Sequence, residues 1–350
     1  MAPSTRIRRA GLTAALAAAP FALAWRFAHV YRDRAGYPRP QPPTFTPADL
    51  GLPFEGLEIP SAGGLRLPAW WIPSPTGTPG PAVLLVHGWE SGRHRTLPNA
   101  AFLHAAGFHV LTIDVRGHGA NPPEDLPVSA GEFGADALAG ARALLAMPVV
   151  TAAAILGHSM GSIGAVLAAA AEPRIAALVL TATPADPYRL TRQTFRLARL
   201  PIPDPIAYPL AWLTTRVYLQ PRGHGVDDIS ATSAIRRYAG PILLVHGGHD
   251  QVVPIAHLDR LARAARGARI RLGEAAAEVE MLTIEGGQHS WLYEFPAYRA
   301  AVAGFLARHI GGPLDAGAAA GVAAALDIRR LADDTSRFAA LAPAPPLVEA

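Results

Sequence analysis

The 350-residue chain predicts an α/β architecture: an eight-stranded, mostly parallel sheet with helices on both faces and a helical cap. Three observations carry this expectation. Short apolar runs alternate with longer segments of helical length and composition, which implies parallel strands joined by right-handed crossovers. One such run, 152–156, leads into Gly157-His158-Ser159-Met160-Gly161 and then into an Ala-rich stretch, 162–171, so a tight turn joins a buried strand to a helix. The segment 185–228 separates two adjacent strands by far more than a crossover requires, and reads as an insertion over the sheet.

Taken in order, residues 1–34 form an N-terminal membrane anchor or signal segment. Arg6, Arg8 and Arg9 precede an apolar stretch from Ala10 to Trp25, the charge pattern of an export signal or an anchor. The run falls a little short of the roughly 20 apolar residues of a spanning helix, unless 27–31 extend it past a snorkelling Arg26. Positive charge on both sides leaves the orientation open. The expectation is membrane association through this segment, or export if it is cleaved near Ala22-Leu23-Ala24. Residues 35–53 read as a Pro-rich linker, 54–312 as the main domain and 313–350 as an Ala/Pro-rich tail with a helix over 316–341. Strands are expected at 54–60, 67–73, 82–87, 108–114, 152–158, 177–183, 241–246 and 279–285. The first two form a hairpin through Ala62-Gly63-Gly64. Helices are expected at 97–106, 133–146, 162–171 and 256–266.

The turn at Ser159 has the Gly-x-Ser-x-Gly form that holds a nucleophile on a strained backbone at a helix N-terminus, where amide N–H groups favour developing negative charge. A serine hydroxyl needs a base, and the base needs a carboxylate to fix its tautomer. The order Ser, acid, His is satisfied. The run 241–246 ends in a Gly-rich turn that delivers Asp250, and 279–285 ends in Gly286-Gly287-Gln288-His289. Ser159 is thus the expected nucleophile, His289 the general base and then acid, and Asp250 the orienting carboxylate. Asp186, after 177–183, is the rival acid. The backbone N–H of Met160 and of Trp89, just beyond His87-Gly88, are the expected oxyanion donors. One such donor is worth about 3 kcal/mol in the transition state.

Through four blocks the chain resembles the α/β-hydrolase superfamily, in its monoacylglycerol-lipase-like and serine-aminopeptidase-like branch. The blocks are His87-Gly88, the turn from Asp114 to Gly119, the Ser159 turn, and the Asp250 and His289 turns, spread over roughly 54–310. The resemblance implies the α/β-hydrolase fold, a serine hydrolase mechanism without a cofactor, and a small-molecule ester substrate. It departs from many lipases in lacking His-Gly-Gly-Gly. The resemblance favours Asp250 over Asp186, because it implies a turn such as Val252-Val253-Pro254 after the acid.

Other residues carry plainer readings. His246, His249 and Asp250 have metal-like spacing, but no His-Glu-x-x-His accompanies them, so no metal is expected. His87 and His158 read as wall residues, and Arg116 and His118 as turn residues. In the insertion, Arg189, Arg192, Arg196 and Arg199 recur at helical spacing beside Tyr188, Tyr208, Trp212 and Tyr218. A solvated arginine face over an apolar lid is preferred to a surface for anionic lipid or substrate. Half of the chain is hydrophobic and its net charge is +4, with every basic residue an arginine. No basic-aromatic array points to nucleic acid as a partner. The absence of cysteine excludes disulfides and a thiol nucleophile. The function expected is cleavage of carboxylic esters, lipid-like acyl esters among them, through an acyl-enzyme. A peptidase or acyltransferase of the same fold, or a non-catalytic binding protein, is the alternative.

Overall fold

A computed structural model of the chain describes residues 3–272 and 279–328. Eight strands form one sheet in the order β1-β2-β4-β3-β5-β6-β7-β8. They are β1 (Glu55–Pro60), β2 (Arg66–Ile72), β3 (Gly80–Val86), β4 (His109–Ile113), β5 (Val150–His158), β6 (Ile175–Thr181), β7 (Ile242–Gly247) and β8 (Val279–Ile284). β1 and β2 form the expected hairpin, and β2 also runs antiparallel to β4. From β4 onward every pairing is parallel, with Leu84 of β3 beside Leu111 of β4 and Ile155 of β5.

Helices cover both faces, so the central strands are continuous apolar runs rather than alternating ones. Along β3, Ala82, Leu84 and Val86 face one core, and Val83 and Leu85 face the other. The first core packs against α3 (Ala130–Leu145), α4 (Met160–Ala171) and α8 (Ala256–Leu272). The second packs against α2 (Leu97–Ala105), α9 (Pro296–Ile310) and α10 (Ala316–Ala325). α3 begins three residues before its expected start because Ser129 and Glu132 form a capping box. Glu132 accepts from the Ser129 N–H at 2.7 Å, and Ser129 Oγ accepts from the Gly131 N–H at 3.1 Å.

The two ends are more closely joined to the domain than a linker and a tail would be. Gly36 accepts from the Val128 N–H at 2.8 Å, Arg95 donates to Gln41 at 3.1 Å, and Phe45 and Leu50 pack on the second core. At the other end, the buried Arg299 donates to the carbonyls of Ala323, Ala324 and Leu326 at 2.7–2.9 Å, capping the end of α10. The helix expected over 316–341 stops at Ala325, with Leu326 already extended at ψ 134°, and the span from 329 lies outside the described residues.

The insertion forms α5 (Pro187–Leu197) and α6 (Asp204–Leu219), followed after a short turn by α7 (Ala231–Ala234). Its arginines hold the cap together. Arg189 pairs with Asp186 at 3.2 Å, and Arg192 and Arg196 both reach Asp204 at the start of α6. Arg192 is buried, and Arg199 lies past the helix at φ 54°. The preferred solvated arginine face is therefore only partly correct: an aspartate across the helix pair draws two of the four side chains into ion pairs.

The N-terminal segment is a helix, α1 (Pro3–Ala35), with Pro20 inside it. Among the described residues no helix is long and apolar enough to cross a membrane. Leu12, Leu16, Phe21, Leu23 and Trp25 are exposed, whereas Ala28 is fully buried against the rest of the protein. Two different environments thus meet along one helix.

Candidate active site

The turn between β5 and α4 is forced into shape by contacts with backbone. Ser159 has φ 52° and ψ −118°, outside the regions that L-residues favour. A Cβ on Gly157 would lie 2.5 Å from the Gly161 carbonyl oxygen, and one on Gly161 would lie 2.3 Å from the carbonyl oxygens of Val86 and His87. Only glycine fits at either place. β6 pins the turn from the other side: Ser159 N–H donates to Thr181 O at 2.9 Å, and Ser162 Oγ–H donates to Gly157 O at 2.6 Å. Thr181 Oγ1–H also reaches Gly157 O, at 2.9 Å.

The three residues singled out from the sequence meet at this turn. Ser159 Oγ lies 3.0 Å from His289 Nε2, and His289 Nδ1 lies 2.8 Å from Asp250 Oδ2. With Nδ1–H donating to the carboxylate, Nε2 is left as the acceptor for the serine hydroxyl. The Asp250 side chain is fully buried, and its other oxygen accepts from the N–H groups of Val252 and Val253 at 2.9 and 2.8 Å. Burial alone would raise its pKa, but the charges of His289 and His246 and their hydrogen bonds to the carboxylate outweigh burial and hold the carboxyl well below its ordinary range. The rival Asp186 is engaged elsewhere, with Thr232 Oγ1 at 2.7 Å and Arg189.

His246 was expected to be an end-of-strand residue and is a partner of Asp250. Its Nε2 donates to Val253 O at 2.7 Å and lies 3.3 Å from Asp250 Oδ2. His249 is exposed. Among the described residues no cluster of three metal-ligating side chains forms. His158, whose ring centre is 5.1 Å from that of His289, has its pKa lowered to about 3 by burial and by His289, so it stays neutral beside the serine. His87 Nδ1–H donates to Gly88 O at 2.7 Å, and its Nε2 accepts from Val115 N–H at 3.0 Å. Arg116 grips the buried Asp136 at 2.6 and 3.0 Å, and His118 Nδ1 donates back to Arg116 O at 2.9 Å. His87 and His158 line the cavity, and Arg116 and His118 hydrogen-bond within and around the turn after β4, in keeping with their sequence positions.

Met160 is the first residue of α4, so its N–H sits at the positive end of a twelve-residue helix. The Gly88-Trp89 backbone crosses beside the serine, where a Cβ on Gly88 would lie 3.4 Å from Ser159 Cβ. Both residues line a cavity of about 230 Å³ that also contains Ser159 and His289. That is slightly below the usual small-molecule range of about 300–1,000 Å³. Leu190, Leu197, Leu219 and Ile229 give the cap side an apolar character, and no Asp or Glu lines the cavity among the described residues. Tyr31 and Ala35 of α1 line it too, a contribution that sequence patterns did not reveal.

Comparisons with known proteins bear on the family and the fold. The chain is 32% identical over 238 residues to an uncharacterised protein of Mycobacterium tuberculosis strain H37Rv, covering 67% of this chain and 74% of that protein. It is 29% identical over 240 residues to a pimeloyl-[acyl-carrier protein] methyl ester esterase of Neisseria meningitidis, covering 57% and 88%. In fold it is similar to an esterase of Pyrococcus furiosus, with a TM-score of 0.60 at 23% identity, over 78% of this chain and all of that one. A Mycobacterium tuberculosis puromycin-hydrolyzing peptidase shares the fold at TM-score 0.56 and 21% identity, over 74% and 40%. The model of the alpha/beta hydrolase family matches residues 83–304, more than half of the chain and every turn that meets at Ser159, and the protein belongs to that family.

Proposed function

We propose that the protein is a serine ester hydrolase that works through an acyl-enzyme. The observation that carries this reading is the unbroken hydrogen-bond chain from Asp250 through His289 to Ser159 at the wall of the cavity. Ser159 Oγ attacks the ester carbonyl while His289 Nε2 takes its proton, and the buried Asp250 stabilises the imidazolium. The Met160 and Trp89 amides receive the oxyanion. His289 then protonates the leaving alcohol and activates water to release the acid. No step calls for a cofactor. An ester suits the cavity better than a peptide bearing a free N-terminus, because an ammonium group would find no carboxylate among the lining residues.

The test is intact mass after fluorophosphonate treatment of the wild type and of Ser159→Ala, with turnover of a short-chain ester in parallel. One adduct on the wild type, none on the variant and loss of turnover support the reading. A Ser159→Ala protein that hydrolyses the ester at the wild-type rate would refute it. For location, we propose that the exposed apolar side chains of α1 attach the protein to a membrane surface. Co-flotation with phospholipid vesicles tests this, and equal flotation of Leu16→Ser/Phe21→Ser/Trp25→Ser would rule it out.

A further inference from the structure

The last turns of α1 do more than connect the N-terminal segment to the domain. Phe27 and Tyr31 both meet Phe195 of α5 edge-on, with ring centres 5.4 and 5.8 Å apart and planes at 81° and 82°. Tyr31 Oη lies 2.8 Å from Thr194 Oγ1, and its ring is 6.5 Å from that of Tyr218 in α6. Tyr218 Oη donates to the carbonyls of Val128 at 2.6 Å and Ala35 at 3.3 Å. These contacts tie α1 to both cap helices and to the body below them. Tyr31, Thr194 and Tyr218 all line the cavity that contains Ser159. The part of the chain matched by the family model begins at residue 83, so this piece of the wall comes from outside the matched segment.

We propose that α1 is a specificity element, in which Tyr31 and Ala35 set the length of the acyl or alcohol group the cavity accepts. The proposal rests on the ester-hydrolase reading for its assay and on the cavity alone for its geometry. The aromatic ring of Tyr31 is braced from three sides, by Phe195, Thr194 and Tyr218, and cannot swing aside without breaking those contacts. A substrate chain longer than the space beneath it therefore meets a fixed wall. Ala35, one turn further along, has a side chain small enough to leave room that a larger one would fill.

The experiment uses the full chain. For wild type, Tyr31→Ala, Ala35→Leu and Leu23→Ser, kcat/KM is measured over straight-chain p-nitrophenyl esters from acetate to dodecanoate, with the rate of fluorophosphonate labelling and the Tm alongside. Tyr31→Ala should move the optimum to longer chains, raising the long-to-short ratio about tenfold for two more accommodated methylenes. Ala35→Leu should move it the other way. Leu23→Ser, on the exposed part of α1 and not among the lining residues, should leave the profile in place. If Tyr31→Ala does not fold, Ala35→Leu decides alone. Folded variants that label at the wild-type rate and keep the wild-type profile overturn the proposal.

The same substitutions are also made in Ser159→Ala, with calorimetric binding of butyrate to dodecanoate as the readout. A shift in the preferred fatty acid there supports the wall even if the wild type neither labels nor turns over, an outcome that would sink only the hydrolase reading. No shift in binding and none in turnover ends the proposal.

Discussion

The floor and the roof of the cavity are built by opposite means. On the floor, backbone meets backbone: Gly157 and Gly161 leave no space for a Cβ, and Thr181 and Ser162 hydrogen-bond the Ser159 turn from β6 and α4. In the roof, side chains meet side chains: Phe27, Tyr31, Phe195 and Tyr218 across three helices, with Arg192 and Arg196 on Asp204. Floors of the first kind tolerate almost nothing, whereas roofs of the second kind can be rebuilt with other shapes. On the proposed reading, the chemistry sits on the part that cannot vary, and the choice of substrate on the part that can.

The largest effect that would sharpen this contrast is expected on the floor. Asp250→Asn keeps the shape of the site but removes the charge that holds the His289 tautomer, and should lower kcat about 10⁴-fold with little change in KM; steady-state kinetics on a protein of unchanged circular dichroism check it. Gly161→Ala places a methyl against the Val86 and His87 carbonyls. It should cost about 3 kcal/mol or more in urea unfolding as well as activity, and near-wild-type stability would break the claim that the floor is sterically fixed. In the roof, Phe195→Ala removes the ring that α1 packs on. It should cost about 3 kcal/mol, yet at a temperature where the variant is folded it should alter KM far more than kcat.

The smallest expected effect lies at the rim. His224 Nε2 lies 2.8 Å from Glu132, whose bond to Ser129 starts α3. The hydrogen bond and charge of Glu132 raise the pKa of His224 above its ordinary 6.5, against a smaller opposing effect of burial. The stability this pair adds is therefore fully present below pH 6.5 on the histidine side, and is lost as pH rises through the raised value. On the glutamate side, burial is the largest influence and would raise the pKa, but His224 and Ser129 together lower it below its ordinary 4.5. That contribution is present above pH 4.5 and is lost as pH falls through the lowered value. His224→Gln should flatten the alkaline side of an unfolding-free-energy-against-pH curve by about 1 kcal/mol or less. An unchanged alkaline side would remove His224 from the account.

What could be read from the sequence follows the same division. The eight strands and the turns bearing Ser159, Asp250 and His289 were visible because their causes are local: a glycine beside the serine, an apolar run before it, a Gly-rich turn after the next strand. The start of α3 is equally local in Ser129-x-x-Glu132, whose capping box sets it three residues before the expected 133. The roof was not legible. Tyr31 meets Thr194 across 163 positions, and no spacing rule connects an apolar N-terminal helix to a hydroxyl on an inserted cap. Nor could composition distinguish a free Pro-rich linker over 35–53 from one held by Val128 and Arg95.

The distance along the chain between α1 and its partners also has a consequence during synthesis. At about 5–20 residues per second, a ribosome takes roughly ten to thirty seconds to add the residues from Tyr31 to Thr194. For most of that interval Phe27 and Tyr31 are outside the ribosome while the ring and hydroxyl that will cover them do not yet exist. The nascent helix is thus an early, unsheltered apolar surface, open to chaperones or lipid before the cap arrives to claim it.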